Sequence, residues 1–166
     1  MGKLVLLCGK PGCGKTTLAK FLEEKFNFIH FSADYFMLSL FGEIKDRNEF
    51  KESLKKCKEV IFDLSKKLLD KDIDVVLDFG FWTKNERNSI SKIFEGYDIK
   101  FVYLKLEDDE IFKRIENRNK HLGKDEYFID KETFKFLSSK FEDFEKNENY
   151  IIYENDMKLI KDLKLK

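Results

Sequence analysis

Gly9-Lys10-Pro11-Gly12-Cys13-Gly14-Lys15-Thr16 is the stretch that decides the fold of this 166-residue chain. It fits G-x-x-x-x-G-K-[ST] and stands between an unbroken apolar run, Leu4 to Cys8, and a segment of helical periodicity. Three glycines let the backbone wrap until successive N–H groups point inward, which makes a concave cradle for anionic oxygen. The helix that begins at Lys15 adds partial positive charge at the same point. In such a loop Lys15 can reach the β- and γ-phosphates of a nucleoside triphosphate, and the Thr16 hydroxyl can ligate Mg²⁺. The expected phosphate-contacting stretch is therefore Gly9, Lys10, Pro11, Gly12, Cys13, Gly14, Lys15, Thr16 and Thr17. Cys13 reads first as a small residue that fits the turn. Its place near a helix N-terminus would also favour a thiolate, and redox control is the alternative.

Outward from this loop, short apolar runs alternate with longer helix-patterned segments, the signature of a parallel sheet with crossover helices. Leu4 to Cys8 reads as a strand buried on both faces. Leu18, Phe21, Leu22 and Phe26 share one face of the helix after it. Strands are expected at 28–31, 74–79 (with Asp78 at its end), 100–106 and 150–153. The apolar residues of 48–69 recur every three or four positions, a helix roughly 30 Å long. Helices are also expected at 85–94, from Asp108 to about Asn119, and after a cap at Asn155 or Asp156. The polar stretch 120–127 reads as a mobile loop, inside a lid of about 119–130. Five interleaved strands make a three-layer α/β sandwich in a single domain, 1–166.

Composition narrows the functions. Thirty-two basic residues balance 32 acidic ones, so a general basic coat for long nucleic acid is not expected. No apolar run approaches the roughly 18 residues of a membrane span. The start, Met1-Gly2-Lys3-Leu4, is too short for a signal peptide, and Leu6 breaks the myristoylation pattern. Cys8, Cys13 and Cys57 match no zinc spacing; free thiols in a reducing cytoplasm fit them. No membrane partner is expected.

Other candidates for chemistry cluster at the expected strand ends. Asp78 follows Val75-Val76-Leu77 at the carboxyl edge, where ligands bind in open α/β sheets, and could hold Mg²⁺ or simply start a turn. Asp78-Phe79-Gly80 spells a protein-kinase motif, but the rest of that signature is missing. Asp34, in Phe31-Ser32-Ala33-Asp34-Tyr35, could accept the proton of an attacking hydroxyl; alternatively, Ser32 or Asp34 caps a helix. Arg114 and Arg118 are four apart on one helix face before the polar loop, and a guanidinium there can stabilise a phosphoryl group in transfer. Arg87 either touches an acceptor or lies in solvent. Tyr35, Phe36, Phe81 and Trp82 could wall a pocket, with core packing the reading favoured for each.

The phosphate loop, Ser32-x-Asp34, Val75-Val76-Leu77-Asp78 with Arg87, and Arg114-x-x-x-Arg118-Asn119 together resemble small P-loop kinases of the zeta-toxin and polynucleotide 5′-hydroxyl kinase group. Phe141-Glu142 with Glu148 is similar to the ending of predicted kinases in that group, although Phe144 and Asn147 depart from their pattern. The resemblance implies strand order 2-3-1-4-5. It also implies ATP and Mg²⁺ on Lys15 and Thr16, Asp34 as base, Asp78 near the metal and Arg118 on the phosphates.

The expected activity is transfer of the γ-phosphate of ATP to a hydroxyl of a small molecule, a nucleotide or a polynucleotide 5′ end. The alternative is an ATPase or nucleotide-binding module without a hydroxyl acceptor. A GTPase is not expected, because neither N-K-x-D nor D-x-x-G is present. Lys113, Arg114, Arg118 and Lys120 supply only a short basic groove for a nucleic-acid end.

Overall fold

Every side chain from Leu4 to Cys8 is buried, which requires apolar cover on both faces of the central strand β1 (Lys3–Cys8). The computed structural model describes residues 1–123 and 126–165. In chain order β1 is followed by α1 (Lys15–Phe26), β2 (Ile29–Ser32), α2 (Ala33–Phe41), α3 (Arg47–Leu69), β3 (Val75–Gly80) and α4 (Lys84–Ile93). Then come β4 (Asp98–Tyr103), α5 (Asp108–Asn119), α6 (Lys131–Ser138), β5 (Tyr150–Ile152) and α7 (Asp156–Asp162). The five strands form one parallel sheet in the order β2-β3-β1-β4-β5, the order the resemblance implies.

Alternation along β1 divides the core. Val5 and Leu7 join Val76, Val102 and residues of α1, α5, α6 and α7 on one face. Leu4, Leu6 and Cys8 join Val75, Leu77 and residues of α3 and α4 on the other. Each fully buried aliphatic side chain contributes about 1.5–3 kcal/mol relative to exposure. In α3 the inward residues Cys57, Ile61, Ser65 and Leu69 recur every fourth position, and the Asp46 carboxylate caps its start by accepting from the amides of Asn48 and Glu49.

Several boundaries depart from the sequence-based expectation. The strand expected to end at Asp78 runs on to Gly80, because Gly80 pairs with Cys8 and turns at φ 83°. The strand expected over 100–106 leaves the sheet after Tyr103, so that Leu104 to Leu106 pass beside the phosphate loop and Leu104 packs in the core next to it. Helix α2 was foreseen only as a capping possibility.

Of the expected lid, Lys124 and Asp125 lie outside the described residues. The described part, 126–130, is held to the end of α5. Asn119 Nδ2 donates to the Ile129 carbonyl at 2.7 Å, its Oδ1 accepts from the Ile129 amide at 3.4 Å, and Arg118 Nη2 donates to the Tyr127 carbonyl at 3.1 Å. No helix among the described residues is long and apolar enough to cross a membrane.

Candidate functional site

The loop between β1 and α1 is shaped by steric necessity at its glycines. Gly12 has φ 83°, and a Cβ there would lie 2.6 Å from Ile115 Cγ1, inside the packing of α5 against the loop. A Cβ on Gly9 would meet Cys13 Sγ at 2.6 Å and the Leu104 carbonyl oxygen at 2.9 Å. Gly12→Ala therefore forces α5 away from the loop, and the expected result is a loss of about 1–3 kcal/mol of stability with weaker phosphate binding, checked by denaturant unfolding and calorimetry.

Lys15 lies over the mouth of this cradle. Its Nζ donates to the Gly9 and Lys10 carbonyls, each at 3.0 Å, and approaches Cys13 Sγ at 3.8 Å. Gly14, at φ 105°, is the N-cap of α1, so the first amides of that helix face outward with no side-chain cap. Lys10 turns its side chain away, to Asp108 at 2.6 Å. Thr16 and Thr17, in the first turn of α1, are exposed. Cys13 is buried, and desolvation raises its thiol above the ordinary range although Lys15 pulls the other way. The small-residue reading of Cys13 fits this; a reactive thiolate does not.

Two residues far apart in sequence meet here. The Thr16 hydroxyl donates to Asp78 Oδ2 at 2.6 Å. Asp78 is buried in β3, two residues before the strand ends, opposite Ser32 of β2. A hydroxyl beside a carboxylate supplies hard oxygen ligands of the kind Mg²⁺ takes while keeping waters and phosphate oxygens for its remaining positions. No cluster of three or more His, Cys, Asp or Glu suited to a metal occurs among the described residues.

Ser32, not Asp34, caps α2: its Oγ accepts from the Tyr35 amide at 3.3 Å. Asp34 is thereby left out of the capping, at an accessible position beside the phosphate site. The surrounding protein raises its carboxyl above the usual range, by desolvation first and then by the Asp78 charge, while Lys15 and Arg118 oppose the shift. The charges of Asp78, Lys15 and Arg118 therefore all act on Asp34. His30, which sequence reasoning missed, is the next polar group: its Nε2 lies 3.9 Å from Asp78 Oδ2 and its Nδ1 4.0 Å from Glu23. Desolvation dominates and lowers its pKa, against the opposing charges of Asp78 and Glu23. A polar residue within the apolar β2 run was the available signal.

The two arginines of α5 separate. Arg118 is half-buried, donates to the Tyr127 carbonyl and acts by its charge on Asp34; Arg114 is exposed and pairs with Glu110 at 2.6 Å, with its Nη1 3.9 Å from a Cβ built on Gly14. Arg114 therefore hangs over the phosphate loop from outside.

Arg87 is the correction. It neither lies in solvent nor faces an acceptor: it is 1% exposed. Its Nε and Nη2 bond Glu148 at 2.7 and 3.0 Å, and its remaining donors reach the carbonyls of Phe81, Trp82, Glu142 and Asp143. The guanidinium also stacks on Phe144, 4.2 Å from the ring centroid. Every donor is used within the chain, so Arg87 fixes the 141–148 segment against α4. Among the candidate aromatics, Phe81 is core and Phe36 packs on Phe31, whereas Tyr35 remains half exposed.

A family model for the AAA domain matches residues 4–144, most of the chain and all of the groups just described except Glu148. The chain belongs to the AAA domain family. Among solved structures, this AAA domain is similar to a putative kinase from Chloroflexus aurantiacus (TM-score 0.71, 14% identity, 98% of this chain and 93% of that one). It is also similar to Mycobacterium tuberculosis APS kinase in complex with AMPPNP and APS (TM-score 0.68, 14% identity, 98% of each chain). A chain of the Pnkp1/Rnl/Hen1 RNA repair complex aligns with TM-score 0.70 at 23% identity, over 84% of this chain. The AAA domain spans only 43% of that chain's length. At these identities the likeness establishes the shared P-loop kinase-like fold. No curated protein sequence matches the chain.

Proposed function

We propose that this AAA domain is an ATP-dependent phosphotransferase that moves the γ-phosphate to a hydroxyl, acting as a single domain in the cytoplasm. One observation carries the reading: Asp34, a carboxylate with no hydrogen-bond partner among the described residues, opens α2 just past Ser32, which pairs in the sheet with the Asp78 that accepts from Thr16. A nucleotide-binding module needs the cradle and the metal ligands but not a second, uncommitted carboxylate.

The roles follow from chemistry. The loop amides and Lys15 hold the β- and γ-phosphates. Thr16 and Asp78 would hold Mg²⁺, which when bound screens the phosphate charge. Arg118 stabilises the charge of the phosphoryl group in flight, and Arg114 lies over the outer side of the loop. Asp34 accepts the proton of the attacking hydroxyl, and its raised proton affinity makes it a stronger base than an ordinary surface carboxylate. The fold is shared with a kinase crystallised with APS and with a chain of an RNA repair complex, which supports testing both small-molecule and nucleic-acid hydroxyls as acceptors.

Asp34→Asn is the test. Phosphoryl transfer should fall roughly 10²- to 10⁴-fold, the span of general-base contributions, while magnesium–ATP binds as before. The assay uses labelled ATP with 5′-hydroxyl oligonucleotides, nucleosides and aminoglycosides. Normal turnover by the variant removes Asp34 from the role of base. Steady ATP hydrolysis stimulated by a protein, with no phosphorylated product, favours the binding-module reading.

A further inference from the structure

Four buried side-chain atoms lack a hydrogen-bond partner among the described residues: Ser138 Oγ, and three on residues tied to the site, His30 Nε2, Arg118 Nε and Tyr127 OH. His30 faces Asp78, and Arg118 acts on Asp34. Tyr127 is tied to Arg118 through its carbonyl, and its phenol feels the Asp34 charge. Burial raises its phenol first, and the charges of Asp34 and Glu43 raise it further. Its ring packs edge-on against Phe50 of α3, with centroids 6.4 Å apart at 74°. Its backbone is pinned by Arg118, and the neighbouring clamp of Asn119 on Ile129 fixes the segment. A buried hydroxyl with no partner is costly, and a role toward a bound substrate is one reason a protein keeps such a group.

We infer that Tyr127 touches the phosphoryl acceptor, its hydroxyl donating to an acceptor oxygen next to the one that Asp34 deprotonates. The inference rests on the phosphotransferase reading. It narrows the substrate class to alcohols with a second oxygen near the reacting hydroxyl, as on a sugar ring. A free sugar or nucleoside and the terminal sugar of a polynucleotide share this chemistry.

Tyr127→Phe tests it with two readouts. In thermal unfolding without ligand, removing an unpaired hydroxyl should leave the melting temperature unchanged or raise it. A fall of several degrees shows that the hydroxyl is already paired and overturns the inference. In steady-state transfer, wild type and variant are compared on a 5′-hydroxyl oligonucleotide, adenosine, gluconate and an aminoglycoside. The expected result is an acceptor KM raised about 10-fold or more, with the KM for ATP unchanged, since one hydrogen bond to a buried partner is lost. The oligonucleotide and small-molecule arms tell the two sources apart. An unchanged acceptor KM overturns the role of Tyr127 alone, leaving Asp34→Asn to judge the chemistry. Failure of the wild type to phosphorylate any of the four overturns it together with the phosphotransferase reading.

Discussion

Lys15→Met is expected to weaken magnesium–ATP binding by roughly 10- to 100-fold and phosphoryl transfer by more. The first figure follows from losing charge-assisted hydrogen bonds worth about 1.5–3 kcal/mol. The second follows from charge that develops on the phosphoryl group only during transfer, where removing one aimed donor costs about 10²- to 10³-fold. Without nucleotide, Lys15 Nζ is satisfied by the Gly9 and Lys10 carbonyls. Those bonds hold the ammonium at the mouth of the loop, so little reorganisation precedes binding. Methionine keeps most of the length and loses every donor. Isothermal calorimetry with magnesium–ATP reads the first effect and initial-rate kinetics the second; equal affinity in the two proteins would remove the phosphate loop from nucleotide binding.

Glu148→Ala is expected to destabilise the fold by about 3–5 kcal/mol, because it leaves the Arg87 charge buried and uncompensated. At about 2–4 °C per kcal/mol for a chain of this size, calorimetry should show a melting temperature lower by about 10 °C. Arg87→Lys keeps the charge but not the fork, and should also destabilise, since Arg87 spreads its donors over Glu148 and four carbonyls. The pair also sets a pH dependence. Hydrogen bonding to Arg87 holds the Glu148 carboxyl below its usual range, against a smaller opposing effect of burial. A group whose folded pKa is depressed stabilises the protein above its unfolded pKa and loses that contribution as pH falls toward the folded value. Wild type should therefore lose stability on acidification in a way that Glu148→Gln does not. A melting temperature unchanged by Glu148→Ala would reopen Arg87 to an acceptor role.

Arg87 shows where sequence reasoning stopped. A charged residue nine positions after Asp78 reads as touching an acceptor or lying in solvent, and nothing local announces a partner 61 residues later. The pairing depends on how the 141–148 segment crosses α4, which is a matter of packing between distant segments. Asp34 was undecided for a different reason. Ser32 and Asp34 offer similar caps by their side-chain chemistry, and only the path of β2 into α2 gave the cap to Ser32. Tyr127 sat in a stretch whose polarity suggested a loose loop; the clamps from Arg118 and Asn119 that order 126–130 are tertiary contacts. Likewise the strand ends at 103 and 80 were set by pairing and by the turn at Gly80, which periodicity does not record.

The cradle and the layer architecture are written in the order of the amino acids. Both arise from neighbouring residues: glycines that permit the wrap, a lysine and a threonine at fixed spacing, and apolar runs whose period sorts strand from helix. Tertiary structure alone decided which polar side chains share the site. Thr16 reaches Asp78 across 62 positions, and the Asp34 charge acts on Tyr127 from far along the chain. Hydrogen bonds and desolvation act over a few ångströms in space, so their partners follow from the fold and not from order along the chain.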